Sequence, residues 1–224
     1  MVNDAVKSIV EDPELIQKRR AQIVAAATKL FSKKGFYRTS TKELAKAAGM
    51  STGLIYQYVR EKDDVLLLVL LEVVEAYARE IPSALEGITD PLERLLIASK
   101  EYYRVVDRHR AETVLAYRST KSLSEDRRDA IMRREYETNQ IITKELLEAM
   151  KAGLIRKANA DVLTYQIVLV AHGWALKSWH FKSRMTIEEY IDESLDNLLG
   201  GILTGRGVKL YGRLRTGASA AASR

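Results

Sequence analysis

The chain contains no cysteine, so disulfide scaffolds, thiolate zinc sites and cysteine nucleophiles are excluded. That composition is compatible with a reducing compartment. Proline is scarce, at three residues, and glycine modest, at twelve of 224, which excludes collagen-like and low-complexity chains. Long apolar runs are also missing. The strongest, residues 65–71 and 167–171, are far too short to cross a bilayer. The first ten residues include Asp4 and Lys7 and do not read as a secretory signal. A soluble, cytoplasmic protein is expected. The three histidines, His109, His172 and His180, fall in no zinc-peptidase spacing, and no phosphate-cradling glycine motif follows a strand. They read as core or surface histidines rather than a metal site, and no cofactor is expected.

What is present is 46% hydrophobic residues and 29% charged ones, enough for a real core under a solvated surface. The net charge of +6 is unevenly spread. Residues 18–62 hold eleven Lys and Arg against only Glu43 and Glu61, and residues 63–204 hold 19 against 24 acids. The tail from Gly205 adds five more cations and no acid. A basic N-terminal lobe on an acidic body points to a polyanion partner at one end.

Helical periodicity dominates, and no alternating strand pattern of useful length occurs. Asp12-Pro13 supplies an N-cap acid and a proline at the first helical position, and Ile23, Ala26, Ala27, Leu30 and Phe31 follow at helical spacing to Gly35. Two short helices come next, 41–48 and 52–59. A helix apolar on all faces spans 63–81 and is expected to stop at Pro82 and to lie between layers. Further helices are expected over 90–108, 111–119, 124–153, 159–181 and 187–199, the last opened by the capping box Thr186-Ile187-Glu188-Glu189. The fold is therefore all-α, with about nine helices. It divides into an arm (1–14), a three-helix DNA-binding domain (15–62), an effector-binding and dimerisation domain (63–204) and a disordered basic tail (205–224).

The two short helices form a helix-turn-helix candidate. Leu44, Ala45 and Ala48 give the first an inward face, and Ile55 and Val59 give the second a matching one. Gly49 permits a left-handed backbone at the turn, and Ser51 caps the second helix. The outward face of that helix then shows Thr52, Gly53, Leu54, Tyr56, Gln57 and Tyr58, groups suited to phosphates and base edges in a major groove.

The stretch from Gly35-Phe36-Tyr37-Arg38-Thr39-Ser40 through Thr41-Lys42-Glu43-Leu44-Ala45-Lys46-Ala47-Ala48-Gly49-Met50-Ser51-Thr52-Gly53-Leu54-Ile55-Tyr56-Gln57-Tyr58-Val59 resembles the DNA-binding signature of the TetR family. The match reaches upstream to Ile23 and downstream to Lys62 and Leu66. Met50 and Val59 stand where the family commonly has Val and Phe, and both stay apolar. The resemblance implies that Thr39 and Ser40 contact phosphates and that Thr52, Gly53, Leu54 and Gln57 face bases. It also implies that Tyr56 and Tyr58 anchor the DNA backbone, and that Lys62 binds phosphate at the start of the next helix. A homodimer on a palindromic operator is the implied assembly.

Beyond Leu70 the resemblance fades. The last two helices carry more apolar residues than one face can bury: Val162, Ile167, Val168, Trp174 and Leu176 on one, Ile187, Ile191, Leu195 and Leu198 on the other. Family members pair such helices across a two-fold axis into a four-helix bundle. The polar and aromatic set Tyr102, Tyr103, Arg104, Tyr117, Arg118, Tyr136, Asn139, His172 and Trp174 could line a cavity for an acidic, largely apolar small molecule. Residues 117–123 and 172–176 are similar to regulators of acyl-coenzyme-A or aromatic-acid metabolism within the family. The expected function is a ligand-responsive repressor. A non-specific architectural DNA-binding protein leaves the apolar body unexplained, and an enzyme is the weakest reading.

Overall fold

The computed structural model describes residues 6–222, which form eleven α-helices, one 3-10 turn and no strand. A lone antiparallel bridge pairs Ile155 with Leu203. The helices are α1 (Pro13–Lys34), α2 (Thr41–Ala47), α3 (Thr52–Tyr58), α4 (Lys62–Ala84), α5 (Pro91–Arg108) and α6 (Arg110–Ser119). After the 3-10 turn Thr120–Ser122 come α7 (Glu125–Lys151), α8 (Ala160–Leu176), α9 (Ser178–Phe181), α10 (Ile187–Gly200) and α11 (Gly205–Ala222).

Side chains written into the sequence set most helix starts. Asp12 accepts from the N–H groups of Glu14 and Leu15 at 3.0 and 3.2 Å, and Asp90 does the same for Leu92 and Glu93 at 2.9 and 3.0 Å. Asn159 caps α8 through Val162 N–H at 3.1 Å, and Thr186 with Glu189 closes a full capping box on α10.

Four expectations need correction. The helix expected to reach 181 breaks at Lys177, whose backbone (φ −114°, ψ 25°) leaves the helical region and separates α9 from α8. Pro82 does not end α4, which runs to Ala84. Proline removes only one N–H near the helix end, and Leu85 N–H still reaches Pro82 O at 3.1 Å. The tail is helical as far as it is described: α11 begins at Gly205, with Thr204 Oγ1 accepting from Gly207 N–H at 3.2 Å, and residues 223–224 of the expected disordered tail lie outside the described residues. Gly207 sits so close to Leu154 O that a Cβ there would come within 2.0 Å of it. That glycine marks a tight packing contact, which composition alone read as flexibility.

The fourth correction concerns the domain boundary. One compact unit comprises Met1–Ala76 with His109–Glu135, and the other Tyr77–Arg108 with Tyr136–Arg224. The N-terminal unit therefore holds α6 and the first part of α7 besides the helix-turn-helix. Its core is built from Ile23, Ala27, Phe31, Leu44, Ile55 and the continuous run Val65–Leu71, every residue of which is buried. Helix α1 packs against α2, α3 and α6. Ion pairs join α7 to α4 inside this unit: Arg127 to Asp64 at 2.7 Å and Arg134 to Glu75 at 2.7 Å. In the C-terminal unit α5, α8 and α10 pack on one another around Leu95, Val106, Ile167, Ile191 and Leu195. There Arg94 forks onto buried Glu145 at 2.9 and 2.8 Å.

Candidate functional site

The helix-turn-helix is locally determined. Ser40 caps α2 in a reciprocal box with Glu43, and Ser51 Oγ accepts from Leu54 N–H at 3.1 Å to open α3. Gly49 takes φ +66°, which lets the chain leave α2, and Met50 N–H returns to Ala45 O at 2.9 Å. Leu44, Ala45, Ile55 and Val59 are buried, which fixes the crossing of the two helices. Thr52, Gly53, Leu54, Tyr56 and Gln57 remain at least partly exposed on α3. Tyr56 OH lies 3.5 Å from Thr41 Oγ1 and is 39% exposed.

Three residues expected to touch DNA are occupied elsewhere. Tyr58 is buried, because the seventh residue of α3 returns to the face of Ile55. Thr39 is buried and donates its hydroxyl to Gly35 O at 2.9 Å. Lys62 turns inward: its ammonium donates to Phe36 O at 3.1 Å and Thr39 O at 3.2 Å and lies 4.4 Å from the centre of the Phe36 ring. It ties the start of α4 to the loop before α2. Ser40 is exposed, with its hydroxyl engaged by Glu43. Sequence reasoning passed over Tyr37, which is 76% exposed in that loop. An aromatic residue outside any helical period was the available signal.

The polar and aromatic set splits into several places. Tyr102, Asn139 and His172 come together inside the C-terminal unit, joined by Tyr77. Tyr102 OH and Tyr77 OH lie 3.3 and 3.4 Å from His172 Nε2, and Tyr102 OH donates to Asn139 Oδ1 at 3.4 Å. The two tyrosine rings stack at 4.1 Å. Burial pushes the His172 pKa down to about 4, so its ring is neutral near pH 7. Asn139 Nδ2 is buried without a hydrogen-bond partner among the described residues. Tyr103 and Trp174 belong to a second cluster around Tyr190, where Trp174 Nε1 donates to Asp107 at 2.7 Å, and burial raises the Tyr103 pKa. Arg104 does not face this interior, because it forks onto Glu188 at 2.8 and 2.9 Å. Tyr136 is exposed, and Tyr117 and Arg118 are exposed on α6 in the other unit.

Residues 23–69 match the family model of bacterial regulatory proteins of the tetR family, and residues 89–202 match that of the tetracyclin repressor-like C-terminal domain. The chain is 49% identical over 204 residues to the HTH-type transcriptional regulator HbdR of Aromatoleum sp. (strain CIB), covering 91% of this chain and 89% of that protein. The chain belongs to the TetR family of transcriptional regulators. Among solved structures, this TetR-family regulator superposes on the ketosteroid regulator KstR2 of Mycobacterium tuberculosis with a TM-score of 0.69 at 20% identity, covering 83% and 95% of the two chains. AibR, solved with isovaleryl coenzyme A and operator DNA, gives 0.69 at 22% identity over 80% and 96%. These likenesses concern the fold.

The regulator also leaves an apolar stripe on α8. Val162, Tyr165 and Leu169 recur at helical spacing and are 55%, 42% and 55% exposed, with Val170 beside them. Leu195 and Leu199 of α10 are instead buried within the chain. Ile187 and Leu198 of α10 stay partly exposed, so both helices keep at the surface some of the apolar residues expected to pair two copies.

Proposed function

We propose that this regulator binds a palindromic operator as a homodimer and acts as a repressor released by a small-molecule effector. The observation carrying the DNA half is the face of α3, where Thr52, Gly53, Leu54, Tyr56 and Gln57 lie clear of the domain core. In this reading Thr52, Leu54 and Gln57 meet base edges, Gly53 allows close backbone approach, and Ser40, Ser51 and Tyr56 face phosphates. Two copies pair through the α8 stripe, placing their α3 helices in successive major grooves. Selection of bound sequences from random duplexes tests this. A palindrome with half-sites about one helical turn apart is expected, and failure to enrich any sequence refutes it.

For the effector, support comes from the Tyr77, Tyr102, Asn139 and His172 cluster. Its groups are uncharged hydrogen-bonding side chains, while Arg94, Arg104 and Arg108 are each bound to carboxylates. A free carboxylate brought among them would lose its hydration with no cation in exchange. A thioester carbonyl or a phenol would find donors there. The reading is therefore an acyl-coenzyme-A ester whose uncharged acyl-thioester part meets this cluster while its phosphates stay outside it, with an aromatic or organic acid as the second choice. Titrating a panel of both against the operator complex decides between them, and a panel in which nothing releases the operator sinks the ligand class.

A further inference from the structure

The carbonyl end of α3 is held by residues remote in sequence. Ile9 donates its N–H and Ser8 its hydroxyl to Gln57 O, both at 2.9 Å. One position on, Tyr58 O accepts from Arg20 Nε at 3.1 Å, and the same guanidinium donates through Nη2 to Val6 O at 2.6 Å. Arg20 is only 5% exposed and Val6 only 2%. Arg20 also interacts electrostatically with Asp64, whose carboxylate accepts from Arg60 and Glu61 N–H at 2.8 and 3.2 Å and from Arg127.

A seven-residue helix is not stable alone, and its last carbonyls have no partners within it. Here two consecutive ones, Gln57 O and Tyr58 O, are bonded by α1 and by the segment before it. Packing does not require an arginine at position 20, since an apolar side chain would fill a buried site on α1 at less desolvation cost. What only the planar fork provides is two fixed N–H directions, one to each of two separate segments. Val6, Lys7, Ser8, Val10, Ile16 and Arg60 line a groove of about 410 Å³ beside these bonds.

We infer that Arg20 and residues 6–10 are part of the operator-reading apparatus. They fix the orientation of α3 by pinning its last two carbonyls, and Arg20 is a positioning residue for base recognition that does not itself touch DNA. This rests on α3 being the helix that reads the operator. A wild-type protein that enriches no sequence would refute that reading before any variant is made.

The test uses full-length protein, the operator selected with wild type, and a random duplex of equal length. Arg20→Met is expected to weaken operator binding about tenfold, the equivalent of one lost anchoring hydrogen bond to a charged group. Binding to the random duplex should stay within about twofold, because the phosphate-facing cations are untouched. The penalty for single mismatches in the operator should shrink. Arg20→Lys keeps the charge near Asp64 but offers one nitrogen for two carbonyls, and should restore less than half of the lost specificity ratio. Ser8→Ala, exposed and mild, should lower that ratio about twofold. Equal losses on both duplexes, or full rescue by lysine, would overturn the inference in favour of a merely structural or charge role. If Arg20→Met does not fold, Arg20→Lys and Ser8→Ala decide: an unchanged ratio in both overturns it.

Discussion

Replacing Asn139 by leucine should make the unliganded protein more stable and less responsive. Asn139 is 1% exposed on α7, and its Nδ2 has no hydrogen-bond partner among the described residues. An unpaired buried amide costs about 1–3 kcal/mol. The one bond the side chain accepts, from Tyr102 OH, is long at 3.4 Å and contributes no more than about 0.5–1 kcal/mol. After the change Tyr102 OH keeps His172 Nε2 at 3.3 Å. Leucine keeps the branching of asparagine but is larger, so no cavity follows and the fit of its two methyl groups costs part of the gain. The balance is a gain of about 0.5–1 kcal/mol, or a rise of about 1–4 °C in Tm for a chain of this size. Urea unfolding followed by the fluorescence of Trp174 and Trp179 reports it, since both lie in the same unit as Asn139. Effector-driven release of operator is then measured on the same protein. Destabilisation by more than about 3 kcal/mol, beyond the cost of overpacking, would show that the amide does structural work. Higher stability with an intact response would show that no ligand uses it.

Other outcomes follow from the same geometry. Lys62→Met should lower thermal stability and operator affinity while leaving the salt slope unchanged, because the ammonium serves Phe36 O and Thr39 O; a slope flatter by about one unit would place it on a phosphate. Tyr58→Phe should leave operator affinity unaltered and Tyr56→Ala should reduce it in gel-shift titrations; the reverse order would refute the assignment of the two faces of α3. Val162→Glu with Leu169→Glu should give folded monomers by light scattering, whereas Leu195→Glu should lose helicity by circular dichroism; a folded dimer after the first pair moves the interface off α8. His172 has its pKa lowered from 6.5 to about 4 by burial, so its contribution is full above pH 6.5 and is lost as the pH falls toward 4. That interval corresponds to about 3 kcal/mol, and in His172→Gln the unfolding free energy should lose this part of its slope.

The helix-turn-helix was legible because its determinants are local. Ser40, Gly49 and Ser51 act within four residues of themselves, and a cap or a left-handed turn is readable wherever it stands. What was not legible there was the burial of Tyr58 and the bonds from Lys62 to Phe36 O and Thr39 O, since both depend on partners far along the chain. The C-terminal unit was harder for the same reason. Tyr77 went unnoticed inside a helix read as uniformly apolar, yet its hydroxyl reaches a histidine 95 residues away. Arg104 looked like a ligand cation only while Glu188, 84 residues on, was out of sight. Arg20 carried no local signal at all, as one basic residue in a basic lobe.

The division of the chain bears on how an effector could act. Helices α4 and α7 both contribute to each unit. In the C-terminal unit they supply Tyr77 and Asn139 to the buried polar cluster. In the N-terminal unit the same two helices are joined by the pairs Arg127–Asp64 and Arg134–Glu75. Asp64 in turn accepts from the N–H groups of Arg60 and Glu61, the link that leaves α3. A ligand can shift an equilibrium only by as much as it discriminates between two states, and coupling of about 1–3 kcal/mol suffices for regulation. Breaking the Arg127–Asp64 pair, whose carboxylate is buried, costs at least that much. The first part of α7 is therefore structurally part of the reading head. A change in its register against α4 would act on the α3–α4 link directly, with no separate relay required.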